Sequence, residues 1–227
     1  MEVSNIERLQ EVAEGLADLN EQVTYVGGSV TGLYAKDNAV SNARPTKDVD
    51  CVVEYFSFQE KEAFEQLLRE RHFREDMDED APLCRWLYKQ FEVDIMPSDD
   101  RYFHFTNRWY KPGVKRREPY TLPNGRTIYI MPMLLFIATK LEAIPDRGGD
   151  DLRGSQDFED IVYILNSCSD FIERYQQEKN TEVKTFISDQ FTAFAQRPNI
   201  MEEIACALPM GEENRVDIIY DILRSLK

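Results

Sequence analysis

Three aspartates set the chemical question. Asp48-Val49-Asp50 opens a branched apolar run that continues Cys51-Val52-Val53. On a strand, residues i and i+2 face the same way, with Cα atoms about 6.6–7 Å apart, so both carboxylates share a face. Asp94 lies inside a second apolar run, Phe91-Glu92-Val93-Asp94-Ile95-Met96. If that strand neighbours the first at the ordinary spacing of about 4.8 Å, a third carboxylate joins the pair. Two ionised carboxylates about 5 Å apart repel by roughly 3 kcal/mol at an effective dielectric of 20. A cation offsets that cost, and an oxygen-only donor set beside phosphates suits Mg²⁺ or Mn²⁺. An isolated D-x-D is more often a solvated strand end. The combination with Asp94 and with the turn upstream reverses that reading.

The turn is Tyr25-Val26-Gly27-Gly28-Ser29, a short β-prone run passing through two glycines toward a helix expected over 30–36. Glycine lets backbone approach a phosphate closely, and the N–H groups that follow, with the Ser29 hydroxyl, supply donors. Alone, such a turn is more often purely structural. A third feature is a stretch from 101 to 117 that carries Arg101, Arg108, Lys111, Lys115, Arg116 and Arg117 and no acidic residue. Tyr102, Phe103, His104, Phe105, Trp109 and Tyr110 are interleaved with them. Two readings stay open: a surface for single-stranded RNA, with cations for phosphates and rings for bases, or a β-hairpin whose rings are core.

These residues need elements to position them. Ser4-Asn5-Ile6-Glu7 has capping-box spacing before a helix, and Ser57-Phe58-Gln59-Glu60 repeats it before a helix reaching about residue 71. Strands are expected at 23–26, 49–55, 85–89, 91–96 and 126–131. From Pro132 the periodicity is helical, predicting helices at 133–144, 157–166, 170–178, 182–196, 200–207 and 214–226, with Gly148-Gly149 in a loop. This is an α/β (α+β) chain: a small mixed-sheet core over 1–131, then a helical half over 132–227.

Composition excludes several classes. With 27 basic against 42 acidic residues the net charge is −15, which disfavours sequence-blind nucleic-acid binding while leaving room for a local basic stripe. Only His72 and His104 are histidines, a poor supply for a zinc site or a Ser-His-Asp triad. Cys51, Cys84, Cys168 and Cys206 form no C-x-x-C pair and read as buried, reduced thiols. No secretory leader pattern and no apolar run of about 20 residues are present, so the expectation is a cytoplasmic protein with no membrane partner.

Gly28-Ser29, Asp48/Asp50 and Asp94 together resemble the polymerase-β-like nucleotidyltransferases, whose pattern is G-G/S, then D-x-D, then a separate strand aspartate. Over 25–54, written YVGGSVTGLYA…RPTKDVDCVVE, the chain looks similar to the AbiEii-type toxin family within that superfamily. The likeness continues in Thr139-Lys140-Leu141-Glu142 and in Asp157-Phe158-Glu159-Asp160, in patches over 23–165. One departure is Gln156 before Asp157, where that family has arginine; Arg153 or Arg147 would then supply the charge.

The resemblance implies a metal-dependent nucleotidyltransferase that moves a nucleotide from an NTP to an acceptor hydroxyl. Asp48, Asp50 and Asp94 would hold the metal, with Asp94 assisting deprotonation of the acceptor. Gly27, Gly28, Ser29 and Lys140 would meet the nucleotide, and Asp157 would support the site, with Asp160 a further candidate. Arg108, Lys111, Lys115, Arg116 and Arg117 are the candidate acceptor contacts. Two acceptors stay open under it, an RNA, tRNA in related toxins, or a small molecule, as in the similar antibiotic nucleotidyltransferases; a toxin would have a cognate antitoxin as partner. The alternative is a nucleotide-binding regulatory module with the same fold and no turnover.

Overall fold

The computed structural model describes residues 3–36, 42–102, 106–147 and 151–226. They form two compact units, Met1–Val30 with Arg44–Pro132, and Thr31–Ala43 with Met133–Lys227.

The first unit is built on a mixed seven-stranded sheet in the order β3-β4-β5-β2-β1-β7-β6. Its strands are β1 (Val23–Val26), β2 (Asp48–Val53), β3 (Arg74–Glu75), β4 (Arg85–Tyr88), β5 (Phe91–Pro97), β6 (Glu118–Thr121) and β7 (Thr127–Ile130). β2 runs antiparallel to β1 and parallel to β5, and β4 folds back on β5 as a hairpin through Lys89 and Gln90. Alternation along these strands puts Val49, Cys51, Trp86, Val93 and Ile95 on one face and Asp48, Asp50, Arg85 and Asp94 on the other.

Two helices cover the apolar face. α1 (Asn5–Leu16) starts at the expected capping box, with Ser4 and Glu7 each accepting from the other's backbone N–H. Its Leu9, Val12, Ala13 and Leu16 are fully buried, and Gly15 lies so close to Tyr88 that a Cβ there would meet the ring at 2.4 Å. α2 (Phe58–Glu70) buries Phe64 and Leu68; Ser57 caps it through the Glu60 N–H, while the Glu60 carboxylate reaches back to Phe56. A third helix, α3 (Tyr110–Lys115), was not expected from the sequence, and neither were β3 and β6.

The second unit is helical, in α4 (Met133–Arg147), α5 (Gln156–Ser167), α6 (Phe171–Gln177), α7 (Thr181–Ala195), α8 (Ile200–Ala207) and α9 (Val216–Ser225). α4 is apolar nearly all round and packs on α5 and α7, which is why its signal is so strong. It runs three residues past the expected end, through Pro145, whose missing N–H costs one backbone bond in the last turn. Where a helix was expected after the glycine turn, the chain forms a 3-10 helix over Gly28–Tyr34. Gly148 and Gly149, expected in a loop, lie outside the described residues. Cys51, Cys84 and Cys168 are buried, as expected; Cys206 is exposed, because it falls on the solvent side of α8.

Candidate active site

The sheet register brings the three aspartates together. Asp50 pairs with Asp94 across β2 and β5, and Asp48 pairs with Glu92 one step back on the same face. Carboxylate oxygens of Asp48, Asp50 and Asp94 all lie within 4.8 Å of one another. The lateral spacing of two strands, and not any closeness in sequence, supplies the third carboxylate.

The glycine turn is shaped around that cluster. Val26, the last residue of β1, pairs with Asp50, so the chain leaves the sheet directly above the carboxylates. Gly27 turns it with φ +70°, a left-handed backbone that disfavours any side chain. A Cβ on Gly27 would lie 1.8 Å from Asp50 Oδ2, so the glycine is required twice, by conformation and by space. Ser29 is 1% exposed, and its hydroxyl has no hydrogen-bond partner among the described residues. A buried hydroxyl without a partner costs roughly 1–3 kcal/mol, which a ligand oxygen would recover.

Sequence reasoning missed two arginines here. Arg85, on β4, stands opposite Asp94 in the hairpin. Its Nε donates to Asp94 Oδ1 at 2.8 Å and its Nη2 to Asp94 Oδ2 at 2.9 Å, a two-pronged charge-assisted contact. The same Nη2 is 3.4 Å from Asp48 Oδ2, and Nη1 is 2.8 Å from Glu92 Oε2. The hydrogen bond to Asp94, partly opposed by burial, raises the pKa of a guanidinium that is always charged in any case. The signal was available: Lys89 and Gln90 make a two-residue turn, and counting outward from it sets Arg85 across from Asp94.

Arg44 is the other. A Cβ on Gly28 would lie 2.7 Å from Arg44 Nη2 and 2.7 Å from Thr46 Cγ2, so the guanidinium packs against the glycine turn. α1 holds this segment like a strap. Asn5 Nδ2 donates to the Arg44 carbonyl at 2.9 Å, its Oδ1 accepts from the Thr46 N–H at 3.0 Å, and buried Arg8 donates to the Thr46 carbonyl. The residues Arg44, Thr46, Asp48 and Asp50 alternate at i, i+2, which is the signal that would have found Arg44.

The described residues of 101–117, for which two readings were open, divide between surface and interior. Phe103, His104 and Phe105 lie outside the described residues. Trp109 is 1% exposed, with the Arg108 guanidinium 4.7 Å from its ring centre. Arg117 donates to the carbonyls of Val23 and Glu21 and stacks on Tyr129, so its cation is spent on the fold. Lys111 is 3.8 Å from Asp99. Arg108, Lys111, Lys115 and Arg116 are exposed, on α3 and its flanks rather than on a hairpin.

The helical unit holds a second charged cluster. Lys140, on α4, is 7% exposed, and its Nζ lies 3.0 Å from Asp157 Oδ1 and 2.7 Å from Asp160 Oδ2, both on α5. Burial by itself would lower the Lys140 pKa; Asp160 and then Asp157 outweigh it and raise the value above the ordinary one. Arg147 approaches Asp157 from the helix end at 3.7 Å, whereas Arg153 is paired with Asp151 and Glu202.

A solved structure shares this architecture: an antigenic nucleotidyltransferase-like protein from Paracoccidioides brasiliensis. The match has a TM-score of 0.53 at 17% identity and covers 89% of this chain and 93% of that one. The fold is nucleotidyltransferase-like. No family model matches the sequence, and no curated protein matches it. Among the described residues no helix is long and apolar enough to cross a membrane.

Proposed function

We propose that the protein is a metal-dependent nucleotidyltransferase of the AbiEii-like kind, moving a nucleotide from an NTP to an acceptor hydroxyl. One observation carries the reading: three carboxylates within 4.8 Å of one another, under a left-handed glycine whose Cβ would strike Asp50. The donor set fits a divalent cation, being oxygen-only, crowded and roofed by a turn with no side chain. Asp48, Asp50 and Asp94 would hold Mg²⁺ or Mn²⁺, which supplies charge neutralisation at the phosphates.

The chain's own residues do the rest. The turn at Gly27, Gly28 and Ser29 takes the phosphates, with the Ser29 hydroxyl finding its missing partner there. Arg44, packed against that turn, adds a fixed positive charge. Lys140, its ammonium fixed by Asp157 and Asp160, is assigned to the phosphates on the resemblance alone. The acceptor oxygen bonds to the α-phosphorus, the bond to the bridging oxygen breaks and pyrophosphate leaves. Asp94 receives the hydroxyl proton. Positioning and electrostatics supply most of the rate. The acceptor proposed is an RNA 3′ end, tRNA among them, with the exposed Arg108, Lys111, Lys115 and Arg116 as its contacts. A cytoplasmic antitoxin partner belongs to the same reading.

A second reading, a nucleotide-binding module without turnover, is favoured by one feature: Arg85 engages both oxygens of Asp94. One experiment separates the two. The purified protein is incubated with Mg²⁺ or Mn²⁺, each labelled NTP in turn and total RNA, beside an Asp48→Asn/Asp50→Asn double variant. Label entering RNA with the unaltered protein only supports the transferase. NTP binding without transfer to RNA, protein or small-molecule acceptors supports the module.

A further inference from the structure

Arg85 occupies an unusual place for a cation. It stands in the same row of the sheet as Asp94 and Asp50, on the face where a divalent ion would bind, and its side chain is 17% exposed. Its fork spends one lone pair on each Asp94 oxygen, and the same guanidinium reaches Asp48 and Glu92. A metal ligated by Asp94 and Asp48 therefore arrives beside a positive charge that cannot deprotonate and shares its ligands. We propose that Arg85 is a built-in counter-ion of the acidic triad, which competes with the divalent cation for Asp94 and Asp48 and sets how tightly the site takes its metal.

This rests on the metal-dependent reading and adds to it an order of events. While Arg85 offsets the carboxylates, a bare cation gains little by entering. The negative phosphates of a nucleotide supply the charge that tolerates guanidinium and metal together, so metal and nucleotide bind with positive coupling. Arg85 acts through Asp94 and Asp48 and is a positioning residue. A merely structural role, tying β4 to β5, would affect stability and leave metal affinity unchanged.

The test is a Mn²⁺ titration without nucleotide, followed by the electron paramagnetic resonance of free Mn²⁺. It compares the unaltered protein with Arg85→Gln, Arg85→Lys and Asp50→Asn, each first checked for folding by circular dichroism. Arg85→Gln is expected to bind Mn²⁺ about tenfold tighter or more, since it removes a like charge a few ångströms from the ion. Arg85→Lys, which keeps the charge and loses the fork, is expected to fall between the two. Coupling between Mn²⁺ and NTP shrinks in Arg85→Gln. Equal or weaker Mn²⁺ binding by folded Arg85→Gln overturns the proposal. If that variant does not fold, Arg85→Lys decides by the same comparison. Asp50→Asn keeps the metal reading separate: Mn²⁺ binding undiminished in that variant places the ion elsewhere and overturns that reading itself.

Discussion

Gly27 shows how much one residue can decide. Its φ of +70° and its approach to Asp50 are independent demands. Gly27→Ala is expected to lower stability by about 1–2 kcal/mol from backbone strain alone. It also pushes the Asp50 carboxylate out of the cluster, so nucleotidyl transfer should vanish even at temperatures where the variant is folded. Thermal unfolding beside the transfer assay checks both parts. Asp50→Asn behaves differently. It removes one member of a repelling set, and a carboxylate pair at about 5 Å costs roughly 3 kcal/mol at an effective dielectric of 20. Transfer should be lost while Tm holds or rises. A large fall in Tm would mean that Asp50 is part of the fold's framework rather than a ligand held against its neighbours.

At the scale of elements, α1 does more than cover the sheet. Asn5 satisfies the Arg44 carbonyl and the Thr46 N–H with one side-chain amide. Asn5→Ala leaves both without that partner, at about 1–3 kcal/mol for each group the solvent does not reach. Arg44 and the entry to β2 lose their anchor, so NTP affinity should weaken more than in a control, Ser4→Ala, which costs about 1 kcal/mol of helix cap. Calorimetric NTP titration of both variants makes the comparison; equal losses would leave the strap with no part in binding. The capping box and the β-character of β2 and β5 were legible because they are local. β3, β6 and α3 were not: two residues of strand, an edge strand interrupted by Pro119 and a helix containing Pro112 and Gly113 carry almost no periodic signal.

For the molecule as a whole, two buried charged groups in the helical unit frame its pH range. The Lys140 pKa is raised above 10.5 by Asp160 and Asp157 against the opposing effect of burial. A raised folded value means that its contribution is full below the unfolded pKa and is lost as pH climbs through the folded one. Glu203 is the opposite case. The hydrogen bond from Arg197, 2.8 Å from Nε, holds its pKa below 4.5, so its contribution is present above 4.5 and is lost as pH falls through the lowered value. Urea unfolding across pH 3–11 should therefore show the unit declining at both ends. Lys140→Ala leaves Asp157 and Asp160 buried around a missing cation, at about 3–5 kcal/mol at neutral pH. The alkaline decline should flatten in that variant; an unchanged alkaline limb would assign it to other groups.

The sequence by itself determined five of the seven strands, most of the helices, the glycine turn and that Asp48 and Asp50 face one way, because these follow from alternation, periodicity and neighbours within a few residues. Even the place of Arg85 opposite Asp94 was within reach, since a two-residue turn dictates its cross-strand partner. What tertiary structure decided was adjacency. Nothing local says that β2 and β5, some forty residues apart, run side by side in register, or that α1 reaches across to hold the strand before Asp48. It also decided what each cation is used for. Lysines and arginines look alike in a sequence, yet Arg117 caps backbone carbonyls, Lys140 is locked between two aspartates and Arg85 lies among the carboxylates. A charge acquires its function from what lies within about 4 Å of it, and only folding sets that distance.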